Sequence, residues 1–147
     1  MRVYASRVIA APIERVWGAI RAFDRLCDWH DAVVDGSIDD GRTHDAVGAV
    51  RSFHLADGSL VRERLIALDD AAHTLTYGFV TPAFPIDNYV ATMRALPVTA
   101  TGATFVEWWA TFDEPDGRAG RHGDIIANGI FAAGLAGLDS FVSEVGA

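Results

Sequence analysis

The chain has 147 residues, half of them hydrophobic, with a formal net charge of -8 and a single cysteine. That length suits one domain over residues 1–147, able to bury roughly 70% of its unfolded surface without a disulfide or metal staple. The acidity argues against a phosphate-binding surface, hence against nucleic acid as a partner. All twelve basic side chains are arginine, which excludes a Schiff-base or general-base lysine because arginine stays protonated.

No apolar run approaches the roughly 18 uninterrupted residues of a bilayer span. The stretch "MRVYASRVIAAPIERVW" is broken by Arg7 and Glu14 and lacks the core of a signal peptide, so a cytoplasmic protein with no membrane span is expected. Lone Cys27 reads as a small buried hydrophobe in a reducing compartment.

In chain order, "RVYASRVI" alternates as a first strand. Pro12 suits the first turn of a helix, Glu14 complements its N-terminal dipole, and Ile13, Val16, Trp17 and Ile20 form a buried stripe. A short helical turn is predicted from Asp24 through Trp29. Strands are predicted around 31–38, 47–55, 60–68, 73–80, 87–97 and 102–112, separated by turns too short for parallel crossovers, so the sheet should be an antiparallel meander. From about Gly120 to Val145 the period becomes helical, with Ile126, Ile130, Ala133, Gly137 and Phe141 as one stripe. Such a helix runs about 36 Å, enough to cross the sheet. Gly129, Gly134 and Gly137 inside it call for either close helix–sheet approach or room for a guest.

The fold class that follows is α+β: a seven-stranded curved antiparallel sheet wrapped around a long C-terminal helix, with two short helices between strands 1 and 2 and an internal hydrophobic cavity. One residue gives that cavity a chemical role. In "SLVRERLIAL" alternation groups Val61, Glu63, Leu65 and Ala67 on one face. Its lone carboxylate must be paired, neutralised or wet. With Phe53 and Leu55 inward, Arg51 shares their face, and a hairpin around Asp57-Gly58 would set Phe53 near Glu63 and Arg51 diagonally adjacent. Glu63 is then either half of a structural ion pair or a ligand anchor and acid/base.

Several stretches, "APIERVW", "WHDAV", "VGAVRSFHLADG", "RERLIALDD", "YGF", "FPIDNY", "VEWWATFD" and "GLAGL", together resemble the polyketide cyclase/dehydrase branch of the START-like superfamily, the helix-grip fold of birch-pollen-type allergens and abscisic-acid receptors. The resemblance implies a hydrophobic ligand site. It places His30 where receptors meet a ligand carboxylate and Glu63 at an acidic pocket position. It makes Phe53, Leu55, Tyr77, Phe79 and Tyr89 pocket-facing, and sets Trp108 inward and Trp109 outward. "LADGS" and "AFPI", the latter with Phe84 and Ile86, correspond to the two mouth loops. Both depart from the receptor motifs, so phosphatase inhibition is not implied. Leu65, Ile126 and Ile130 complete the expected lining.

His30 either caps the helical turn at the surface or shares a proton relay with Glu63. Tyr77, Tyr89 and Asn88 are donor candidates for an enolate oxygen, Asn88 alternating away to brace the latch loop. Outward Trp109 either packs under a terminal segment or mediates a homodimer. His44, His54, His73 and His122 lack metal-ligand spacing, and no glycine-rich phosphate loop is present, so neither metal nor cofactor is expected. The functional expectation is a cofactor-independent cyclase/dehydratase acting on an aromatic or polyketide-like molecule, with Glu63, His30 and Tyr89 as catalytic candidates. The alternatives are a non-catalytic carrier of a hydrophobic small molecule or lipid, and a protein-interaction module.

Overall fold

The structure, a computed structural model, describes residues 1–115 and 121–145. Strands β1 (Arg2–Ile9), β2 (Ser37–Ile38), β3 (Val50–His54), β4 (Leu60–Asp69), β5 (Thr74–Thr81), β6 (Asp87–Val98) and β7 (Ala103–Asp113) form one antiparallel sheet. Its order is β1-β7-β6-β5-β4-β3-β2, so each strand from β2 onward lies beside its sequence neighbour and β1 closes on β7. Helix α1 (Ile13–Arg21) and a 3-10 turn (Phe23–Asp28) connect β1 to β2. The C-terminal helix comprises α2 (Arg121–Asp124), a π-helical segment (Ile125–Ala132) and α3 (Ala133–Val145). The chain thus has the expected α+β helix-grip architecture. The expected helix start at Gly120 lies outside the described residues.

Local irregularities correct the sequence expectations. Only Ser37 and Ile38 of the expected 31–38 strand join the ladder; Val33 makes one isolated bridge to Leu55. Gly36 lets the chain pass so close under the Asp24 carbonyl that a Cβ would overlap its oxygen. The strand expected from 47 begins at Val50, because Gly48 has a positive φ of 93° and turns the chain there. In β4 a bulge leaves Ile66 without a partner between the Leu65–Tyr77 and Ala67–Thr76 pairs. An extra residue flips the side chains that follow. Ala67, expected inward, is therefore exposed, and Leu68 packs against the core.

The C-terminal stripe shifts for a related reason. Its buried positions are Ile126, Phe131, Leu135, Leu138 and Val142, whereas an unbroken α period predicted Ile130, Ala133, Gly137 and Phe141. The first step spans five residues, the spacing of a π turn, and this advances every later buried position. Segment His122–Ser143 is long and apolar enough to cross a membrane by length and composition, with a mean hydropathy of 1.6. In this fold its apolar stripe is buried with sheet residues such as Val106, Trp108 and Ala110.

Two helix glycines explain how closely that packing is drawn. A Cβ on Gly134 would sit 2.7 Å from His30 Cδ2 and 2.8 Å from Trp108 Cζ3, and one on Gly137 would overlap the Trp29 carbonyl oxygen. Close approach is therefore the reason at both positions. Gly129 meets nothing within 4 Å, so neither explanation accounts for it.

Candidate functional site

Between the sheet and the C-terminal helix lies a cavity of about 40 Å³. Its wall comprises Leu26, His30, Ala32, Val33, Phe53, Leu55, Val61, Glu63, Tyr77, Phe79, Ala83, Phe84, Tyr89, Trp108, Ile126 and Ile130. Strands β3, β4, β5, β6 and β7 each contribute inward residues, so the site follows from period-two alternation on a curved sheet. The cavity is narrow: an apolar void that holds one benzene is on the order of 150 Å³. A larger, open hollow of about 250 Å³ lies outside the grip, lined by α1 residues together with Arg25, Asp28, Trp29, Phe141 and Val142. None of the predicted site residues lines it, and the chemistry converges on the smaller void.

Glu63 is 5% exposed and Arg51, directly across the β3–β4 ladder, is equally buried. The sequence expectation sets Phe53 near Glu63 and Arg51 diagonally adjacent. The hairpin instead closes with Leu55 N–H donating to the Ser59 carbonyl at 2.9 Å, which pairs Phe53 with Val61. Arg51 Nε donates to Glu63 Oε1 at 2.9 Å and its terminal nitrogen reaches the same oxygen at 2.7 Å. A third nitrogen donates to the Phe23 carbonyl at 3.1 Å. The guanidinium also lies 4.1 Å from the Phe23 ring centre and 4.7 Å from that of Tyr77. Burial pushes the Glu63 carboxyl above the ordinary glutamate range, with Arg51 pulling the other way.

Trp108 is locked into the wall by stacking on Phe131 at 4.5 Å, and its indole N–H donates to the Tyr77 hydroxyl at 3.1 Å. Tyr89 stacks on Phe79 at 4.2 Å. Burial raises both tyrosine pKa values, and the Glu63 charge adds to each, so both phenols stay protonated. Both neutral phenols line the cavity and lie close enough to hydrogen-bond each other.

His30 lines the cavity and is buried rather than a surface cap. Its Nδ1 accepts the Ala32 N–H at 3.2 Å, which puts the ring proton on Nε2, and Nε2 donates to the Ile130 carbonyl at 2.8 Å. Both nitrogens are thus committed to backbone. The structure corrects the relay expectation: this imidazole has no free lone pair with which to take a proton. Burial also lowers its pKa below the ordinary 6.5. The sign of the linkage follows, since the unfolded chain takes up a proton near 6.5 that the folded chain refuses. The stability contributed by neutral His30 is complete above that pH and is lost as pH falls below it. Denaturant titrations should record a decline below pH 6.5 of at most about 1.4 kcal/mol per pH unit from this group, and His30→Gln should flatten it.

Three predicted lining residues stand behind the wall rather than in it: Arg51, Leu65 and Ile86 are buried but absent from the cavity surface. Leu26, Ala32, Val33, Val61 and Ala83 line it without having been predicted. Val61 was within reach, because it alternates with Glu63. Asn88 turns outward with a φ of 56°, and its amide donates to Asp113 at 2.8 Å, a bracing role. Trp109 is half-buried on the outer face with Arg94 5.8 Å from its ring centre. Among the described residues no three His, Cys, Asp or Glu side chains cluster as a metal site.

The family model for polyketide cyclase / dehydrase and lipid transport proteins matches residues 1–145. The chain belongs to that family. Among solved structures, this family member is similar to a Thermobifida fusca protein at 30% identity and a TM-score of 0.85, covering 97% of this chain and 93% of the other. It is also similar to XoxI of Bacillus cereus at 26% identity and a TM-score of 0.85, covering 99% and 98%. Norcoclaurine synthase of Thalictrum flavum, solved as a point mutant with a transition-state analogue, matches at 14% identity and a TM-score of 0.77 over 100% and 96% of the two chains. That last likeness speaks to the START-like fold alone.

Proposed function

We propose that this chain binds an aromatic or polyketide-like small molecule in the sheet–helix cavity and that Glu63 exchanges a proton with it. The observation that carries the reading is a wall of apolar and aromatic side chains containing one buried carboxyl group. In an aldol cyclisation Glu63 would take a proton from an activated carbon, and the enolate would close a carbon–carbon bond onto a ketone. Glu63 would return that proton to the resulting alkoxide; in the dehydration it would take a second proton from the same carbon as the C–O bond breaks and pass it to the departing hydroxide, which leaves as water. Tyr77 and Tyr89, held protonated by burial, would donate to the developing oxyanion. His30 enters as a positioning residue that ties the wall to the Ile130 carbonyl.

Because the void is smaller than an aromatic ring, binding requires the wall to part, and half-buried Leu55, Ala83 and Phe84 at the mouth loops are the side chains placed to move. Val61→Phe, filling the wall from β4, should abolish binding of aromatic probes, read by quenching of tryptophan fluorescence. Unchanged affinity in that variant would move the site elsewhere.

A second reading, a carrier without turnover, draws on His30 having both nitrogens bonded to backbone. Poly-β-ketone thioesters incubated with wild type and Glu63→Gln separate the two. Ring formation that falls by at least about a hundredfold with binding retained supports catalysis. Tight binding with no conversion in either protein supports the carrier.

A further inference from the structure

We infer that the guest of this cavity is a neutral phenol, or a close hydroxy-aromatic, whose O–H donates to the free carboxylate oxygen of Glu63; this rests on the ligand-binding reading above. The distribution of hydrogen bonds around the acid is the starting point. Both Arg51 contacts fall on Oε1, at 2.9 and 2.7 Å. Among the described residues none donates to Oε2. Glu63 lines the cavity and Arg51 does not, so what the floor presents to a guest is an acceptor rather than a cation. The guanidinium is further occupied by the Phe23 carbonyl at 3.1 Å and enclosed between the Phe23 and Tyr77 rings.

The choice among donors follows from charge. A carboxylate guest would lie against a carboxylate whose arginine is already taken, and like charges in a dry site repel. An ammonium would add a third charge to a pair that is already neutral, leaving one net charge buried. A hydroxyl satisfies Oε2 and brings none. His30 cannot rescue an anion either, since its Nε2–H is spent on the Ile130 carbonyl at 2.8 Å. Tyr77 and Tyr89, the other donors on the wall, lie within the field of the same Glu63 charge, which a permanent anion would meet and a transient oxyanion formed after Glu63 has taken its proton would not. The ring half of the guest is set by the aromatic side chains of Phe53, Phe79 and Tyr89 that bound the same space.

The test titrates four probes of one shape, para-ethylphenol, para-ethyltoluene, para-ethylbenzoate and para-ethylbenzylammonium, onto the isotope-labelled protein. Amide shifts at wall residues locate the binding, and the Glu63 carboxyl carbon reports the contact. The phenol should bind at least about tenfold more tightly than each of the others and be alone in moving the Glu63 carboxyl resonance. In Arg51→Met/Glu63→Leu, which leaves no orphan charge, phenol and toluene should become equal. Toluene, benzoate or ammonium binding in the cavity as tightly as the phenol overturns the ligand class and leaves the binding reading standing. Failure of all four to perturb the wall resonances at millimolar concentration overturns both.

Discussion

Arg51→Met is expected to destabilise the fold by about 3–5 kcal/mol, because it leaves the Glu63 carboxylate buried with no counter-charge. Glu63→Leu should cost a similar amount by stranding the guanidinium. Their combination should recover most of the loss, since two well-packed apolar side chains often replace a buried ion pair without penalty. The double variant is not expected to surpass wild type, for two local reasons. The Phe23 carbonyl loses the donor that reaches it at 3.1 Å, an omission worth about 1–3 kcal/mol. The guanidinium also leaves the faces of Phe23 and Tyr77, where cation–π attraction contributes roughly 1–2 kcal/mol when desolvated. Chemical denaturation of the four proteins at neutral pH gives the coupling energy directly. Additive losses would mean that Arg51 and Glu63 are each solvated in the folded chain, and the dry carboxyl on which the proposed chemistry depends would not exist.

How far this site was legible depends on which features obey a local period. Glu63 and Trp108 were placed inward from alternation, alone or with the resemblance, and both line the cavity, because strand side chains change face at every residue wherever the ladder is regular. Features that break a period were invisible. The bulge at Ile66 and the π turns between Ile126 and Phe131 each shift the pattern by one residue. The bulge belongs to the pairing of β4 with β5, which composition does not encode. The Arg51–Glu63 register was missed by the position of one turn, set by the Leu55–Ser59 hydrogen bond. For His30 the sequence leaves a surface cap and a relay both open, since it does not display the Ala32 amide and the Ile130 carbonyl that consume its two nitrogens.

The grip of the C-terminal helix offers the second large effect. Intrinsic propensity favours alanine over glycine in a helix by about 1 kcal/mol, so Gly137→Ala would stabilise a helix in isolation. In this fold the added methyl meets the Trp29 carbonyl oxygen, a backbone atom that cannot rotate away as a side chain could. The helix or the 29–30 segment must retreat, and overpacking of this kind costs about 1–3 kcal/mol or more. A net loss of about 2 kcal/mol is expected, lowering Tm by roughly 4–8 °C for a domain of this size. The retreat should also weaken the Nε2–Ile130 bond of His30 and the 5.8 Å edge contact between Trp29 and Trp108, so tryptophan fluorescence and aromatic-probe affinity should change together with Tm. Gly129→Ala is the control: with nothing within 4 Å of its added methyl, it should gain up to about 1 kcal/mol and leave the probe affinity alone. Equal stability of the two alanine variants would mean that the helix does not lie against Trp29, and the cavity wall built on that contact would have to be redrawn.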